Sequence, residues 1–255
     1  MIDRKNPILC YVTDRRSLSS PAVASESAVE RGAPSASDAE SSRLVEKIAV
    51  IAAAGVDWVQ IREKDLAGQQ LAALTREAIA RARVGSSNRA PRIIVNDRVD
   101  VVIAEGAGGV HLGETSFPVA DIAKWVKRSD SGVVVSDDGA AAQFPVRASA
   151  DFLIGASCHS LKGAKAAVRD GADYIFFGPV FATPSKAKFG EPQGVKKLVE
   201  VCCAVSVPVI AIGGITLENA GECIAAGAAG MAAIRLFQDA VEPARVISAL
   251  KQLRR

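Results

Sequence analysis

The chain has 255 residues, 49% of them hydrophobic and 23% charged, with a net charge of +3. That balance is ordinary for a globular protein, and its lysines and arginines are scattered rather than gathered into the basic stripe that nucleic acid requires. No apolar run is long enough to span a membrane, and the N-terminal MIDRKNPILC lacks the apolar core of a signal peptide. The five cysteines form an odd set without a CxxC pair, so reduced thiols in a cytoplasmic protein are expected.

Short apolar strands are predicted at 8–13, 57–61, 92–95, 108–112, 152–155, 173–177, 207–211 and 229–233. Helical patterns lie between them at 41–54, 68–84, 99–106, 118–128, 160–170, 194–204, 216–226 and 241–253. Continuous apolar strands alternating with helices imply a parallel sheet covered on its outer face. Eight such units in one chain fit a single (β/α)8 TIM barrel over residues 1–255; a doubly wound open sheet is the alternative.

Four joints support the repeat: AAAGVDWVQI, AEGAGGVHL, RDGADYIFF and AAGAAGMAA each end a helix on Gly and run into a strand. Residues 16–40 break the pattern, being rich in Ser and Ala and interrupted by Pro21 and Pro34. They read as a mobile insertion in the first βα loop, a tether rather than a lid. Residues 129–151 are weakly patterned, with a partial strand at 133–135.

The polar residues of interest fall at the C-terminal ends of strands, where barrel active sites are built. After strand two, VQIREKD places Gln60 and Arg62 on one face with Lys64 beyond, either an anion clamp or an ordinary charged loop. Strand three ends in Asn96-Asp97-Arg98, where Asp97 suits a Mg²⁺ ion or a helix N-cap. Strand four supplies His111, read as a packed, hydrogen-bonded side chain, followed by Glu114 and Ser116.

Strand five brings Ser157 and His159 to the mouth. Strand six runs into FFGPVFATPSKAKFGEPQG, a loop dense in hydroxyls and ammonium groups (Thr183, Ser185, Lys186, Lys188) that suits a phosphate or pyrophosphate. Strand seven ends at Gly213-Gly214 ahead of Thr216, and strand eight at Ile234-Arg235. A Gly-Gly turn and a helix N-terminus there offer backbone N–H groups to a second phosphate.

In order and spacing, VQIREKD, IVNDR, GVHLGE, GASCHS, GPVFATPSK, VPVIAIGGIT and AAIRLF resemble the thiamine phosphate synthase family, across all but 16–40 and 129–150. Such enzymes join a hydroxymethylpyrimidine diphosphate to a thiazole phosphate and release pyrophosphate. The resemblance implies a dissociative, Mg²⁺-assisted transfer in which pyrophosphate departs before the thiazole nitrogen attacks. It implies that Gln60, Arg62, Lys64, Asn96, Ser157 and Lys186 hold the pyrimidine diphosphate, with Arg62, Lys64 and Lys186 stabilising the leaving group. By the same resemblance Asp97 binds Mg²⁺, and Thr183, Ser185, Gly214, Ile234 and Arg235 line the thiazole phosphate site.

Two departures stand out. Glu114-Thr115-Ser116 replaces a Gln-Glu-Asp run whose Asp completes the metal site; either Glu114 assists Asp97 from two residues away, which is the expectation, or the metal rests on Asp97, pyrophosphate and water. Arg235 occupies a position where a small hydroxyl residue is common. The thiazole tautomerase relatives, which use a His at the position of His159, and a non-catalytic thiazole-phosphate binder are the alternatives. The expected partners are small phosphorylated substrates; a homo-oligomer is left open.

Overall fold

The structure, a computed structural model, describes residues 6–18, 36–85, 89–128, 151–183 and 191–253. Eight strands form in the predicted places: β1 (Ile8–Val12), β2 (Trp58–Ile61), β3 (Arg92–Asn96), β4 (Gly109–Leu112), β5 (Leu153–Cys158), β6 (Tyr174–Phe177), β7 (Val209–Ile212) and β8 (Gly230–Ala233). Each pairs in parallel with the next, and β8 returns to β1 with Leu9 opposite Met231, closing the barrel.

Helices cover the sheet: α1 (Ala36–Ala53), α2 (Gly68–Gly85), α3 (Val99–Glu105), α4 (Val119–Arg128), α5 (Leu161–Arg169), α6 (Gly194–Ala204), α7 (Ala220–Ala225), α8 (Arg235–Gln238) and α9 (Pro243–Lys251). At the four repeated joints Gly55, Gly106, Gly171 and Gly227 all take positive φ, between 64° and 104°. That left-handed residue stops each helix and turns the chain into the following strand.

Strand alternation divides the core in two. Ile8, Cys10, Val12, Trp58, Ile94, Tyr174, Phe176, Ile210 and Ala232 fill the barrel interior. Leu9, Tyr11, Val59, Ile61, Val95 and Ile175 face outward against helix residues such as Leu44, Ile48, Leu74 and Leu198. The same parity continues upward, so Gln60, Asn96, His111 and Ser157 crown the interior.

Two boundaries differ from expectation. A 3-10 turn over 15–17 takes in the start of the presumed insertion, 36–40 form the first turn of α1, and 19–35 lie outside the described residues. The four-residue α8 was absent from the apolar pattern because it is too short to show a period. Residues 129–150, with the expected strand at 133–135, also lie outside the described residues. No described helix is long and apolar enough to cross a membrane.

Candidate active site

One hydrogen-bonded run crosses the barrel mouth from β2 to β4. Gln60, wholly buried, donates from Nε2 to Asn96 Oδ1 at 3.0 Å, and Asn96 Nδ2 donates to Asp97 Oδ2 at 2.6 Å. On its other oxygen the Asp97 carboxylate accepts from the Ser116 hydroxyl and from the Gly113 N–H. Lys64 Nζ stands 3.7 Å from Asp97 Oδ2. Asp97 holds φ 62°, the one positive value among the described non-glycine residues. Left-handed backbone costs a non-glycine residue about 1 kcal/mol or more, and such strain concentrates at functional sites.

The alternative role for Asp97, capping a helix, is not what its side chain does. Arg98 takes the N-cap position of α3, and no side chain caps that end. The Asp97 carboxylate is spent on Asn96, Gly113 and Ser116 instead. Beside it a cleft of about 490 Å³ opens between Asp97, Arg98, Thr115, Ser116, Phe117 and Pro118.

Below this run, His111 is buried with each ring nitrogen engaged. Nε2 lies 2.9 Å from Ser157 Oγ and Nδ1 lies 3.1 Å from Tyr174 Oη. Burial pushes the imidazole pKa down to about 3; Asp97 opposes that shift and the Arg62 guanidinium adds to it. The packed reading of His111 from sequence therefore holds. His159, just past β5, is fixed through Nδ1 on the Gly178 carbonyl.

Arg62 and Lys64 are exposed, whereas Glu63 between them is buried. Glu63 accepts from the Thr13 hydroxyl at 2.6 Å and from Arg15 Nη1 at 3.0 Å. Arg15 continues to Asp65 at 2.7 Å, and that hydrogen bond draws the Asp65 carboxyl down to about 2. The Arg62 N–H donates to Thr13 Oγ1 at 3.0 Å. The loop is thus pinned from below, and alternation throws both cations to the ligand side. Sequence reading passed over Thr13, Arg15 and Glu63, although the odd parity of Glu63 within IREKD marks it as facing away from the mouth.

The second half of the site lies where the β6 and β7 loops meet. Val180 N–H donates to Ile212 O at 2.9 Å and Phe181 N–H to Gly213 O at 3.0 Å. A Cβ on Gly214, at φ 66°, would stand 2.5 Å from the Ala182 carbonyl oxygen, so only glycine admits the crossing loop. Thr183 follows, the last described residue before 191; Ser185, Lys186 and Lys188 lie outside the described residues. Thr216 and Asn219 bond each other reciprocally at 2.8 and 3.4 Å and delay α7 to Ala220. The Gly-Gly turn therefore leads into this turn rather than directly into a helix. Ile234 is half-buried at the top of β8, and Arg235 is exposed, its side chain making no hydrogen bond or ion pair among the described residues.

Glu114 is exposed, and its charge is felt by Cys158. Among the described residues no three His, Cys, Asp or Glu side chains gather into a metal cluster. All five cysteines are free, three of them buried.

The sequence matches the thiamine monophosphate synthase family over residues 33–133 and 132–237. A thiamine-phosphate synthase of Methanoculleus marisnigri is 40% identical, covering 72% of this chain and 74% of its own. One of Chlorobium limicola is 32% identical over 93% of this chain and 89% of its own. Among solved structures, a thiamine phosphate pyrophosphorylase from Pyrococcus furiosus superimposes with a TM-score of 0.69 at 26% identity, covering 96% of this chain and 94% of that one. With its closed barrel and its mouth of amide, carboxylate and cations, the chain belongs to the thiamine monophosphate synthase family.

Proposed function

We propose that the protein is a thiamine-phosphate synthase that joins 4-amino-2-methyl-5-hydroxymethylpyrimidine diphosphate to thiazole phosphate. The carbon–oxygen bond to the diphosphate breaks, pyrophosphate leaves with the bonding electrons, and the thiazole nitrogen captures the pyrimidine methylene cation. The observation that carries this reading is the Gln60–Asn96–Asp97 run held beside exposed Arg62 and Lys64 at the barrel mouth. Such a reaction asks for stabilised leaving-group charge rather than a nucleophile, and fixed cations supply that. Arg62, Lys64 and Lys186 take this role. Gln60, Asn96 and Ser157 hold the pyrimidine diphosphate, and Thr183, Ser185, Gly214, Ile234 and Arg235 receive the thiazole phosphate.

Asp97 fits Mg²⁺. Its side chain is 34% exposed, and three hydrogen bonds leave one of its roughly four lone-pair positions, on Oδ2, the oxygen that faces Lys64. Mg²⁺ commonly rests on one or two carboxylates with substrate phosphates and water, and there it would offset the charge of the departing pyrophosphate. We place the ion on Asp97, with the exposed Glu114 as an assisting oxygen ligand. Free cysteines suit the cytoplasm, where a biosynthetic enzyme meets small phosphorylated substrates.

The test is incubation with both phosphorylated substrates and Mg²⁺, followed by assay for thiamine phosphate. Absence of product refutes the synthase. The tautomerase reading draws on one observation: Nδ1 of His159 donates to the Gly178 carbonyl, which fixes the ring and turns Nε2 away from that contact. Proton exchange on the thiazole in the absence of the pyrimidine substrate would mark that activity.

A further inference from the structure

We propose that Tyr174, His111 and Ser157 form a directed hydrogen-bond chain that presents the Ser157 hydroxyl as a donor to the pyrimidine diphosphate. Tyr174 and His111 are then positioning residues for the reaction proposed above, on which the kinetic part of this inference rests. The register brings the chain together. His111 on β4 lies opposite Gly155 on β5, and Gly155 lies opposite Tyr174 on β6. Gly155 leaves a gap in the middle of that row: a Cβ there would run into the Tyr174 phenol and stand 2.6 Å from His111 Nδ1. Through the gap the Tyr174 hydroxyl reaches Nδ1 at 3.1 Å, and on the far side of the ring Nε2 meets Ser157 Oγ at 2.9 Å.

A neutral imidazole has one donor and one acceptor nitrogen, so two arrangements satisfy these distances. With the proton on Nδ1, His111 donates to the Tyr174 oxygen and the phenolic hydrogen must find another acceptor. Tyr174 is fully buried among apolar rings, with Trp58 at 4.8 Å and Phe176 at 5.5 Å between centroids. Its hydroxyl has no second hydrogen-bond partner among the described residues. An unmade hydrogen bond in such surroundings is costly, which disfavours this arrangement.

With the proton on Nε2, every buried hydrogen is used. Tyr174 donates to Nδ1, Nε2–H donates to Ser157 Oγ, and the serine hydrogen stays available at the mouth, where Ser157 is half-buried. The polarity matters for recognition. In this state Ser157 favours an acceptor on the substrate, a ring nitrogen or a phosphoryl oxygen. The reverse state would commit its hydrogen to His111 and leave only lone pairs for the ligand.

The chain contains two histidines, so ¹⁵N-histidine NMR resolves the question, with His159→Asn assigning the signals. At neutral pH His111 is expected to carry its proton on Nε2 with Nδ1 bare. Tyr174→Phe should lose that fixed pattern and raise KM for the pyrimidine diphosphate about tenfold, the weight of one directed hydrogen bond, while KM for thiazole phosphate stays put. A proton on Nδ1 or a charged imidazole in the wild type overturns the proposal. So does a Tyr174→Phe enzyme with unchanged kinetics, or with both KM values raised alike. The wild-type spectrum decides the polarity even where Tyr174→Phe does not fold. Should the wild type make no thiamine phosphate, the synthase reading falls while the spectrum still judges the hydrogen-bond chain.

Discussion

Glu63 and Arg15 meet at 3.0 Å beneath the loop that holds Arg62 and Lys64 outward. Both are almost fully buried, and Arg15 also engages Asp65. Removing one partner of a buried pair strands the other's charge, which costs about 3 kcal/mol where a second partner remains. Glu63→Gln should therefore lower the free energy of unfolding by about that amount, read by urea titration. It should also weaken pyrophosphate binding, because the cations above lose their fixed base. Calorimetric titration of pyrophosphate into the folded variant checks the second part; unchanged affinity would show that the loop positions itself.

Lys186→Ala should lower turnover about a hundredfold with little change in the melting temperature, as loss of one preorganised charge at a leaving group does. The described start of its loop, Phe181 and Ala182, crosses Gly214. Near-normal turnover would remove this loop from the chemistry.

Burial gives His111 a second measurable consequence. The folded imidazole takes its proton near pH 3, whereas the unfolded chain takes it near 6.5. The unfolded state binds the extra proton between those values, so this contribution to stability is complete above pH 6.5 and declines as the pH falls toward 3. The slope reaches about 1.4 kcal/mol per pH unit. From about pH 7.5 to about pH 5, the wild type should lose about 2 kcal/mol more than His111→Asn, measured by urea unfolding. Parallel losses would mean that His111 is not held neutral.

Strand order and the four Gly joints were legible in the sequence because buried parallel strands are continuously apolar and helix ends need left-handed glycine. Residues at the strand ends were legible too: Gln60, Asn96 and Ser157 sit on the inward parity that alternation assigns. The buried polar layer was not. Tyr174 reads as one more apolar strand residue, and its link to His111 depends on the gap at Gly155, a contact between strands that no local pattern encodes. The Thr13–Arg15–Glu63 network joins segments 48 to 50 residues apart and escaped for the same reason.

The metal gives the sharpest test. Ser116 donates its hydroxyl to Asp97 Oδ1, standing where the resemblance expects a second carboxylate. We expect Asp97→Asn to abolish Mg²⁺-dependent turnover; Asn tolerates the left-handed backbone at φ 62°, so charge is removed without added strain. Ser116→Asp should set two carboxylates side by side. Without metal their repulsion should lower the melting temperature, and Mg²⁺ should restore it, since two carboxylates and water make a fuller oxygen site. The Mg²⁺ concentration for half-maximal rate should fall in the same variant. Thermal melts and rates across a Mg²⁺ series read both effects. Full activity of Asp97→Asn in excess chelator, or a Ser116→Asp melting temperature indifferent to Mg²⁺, would take the ion away from this carboxylate.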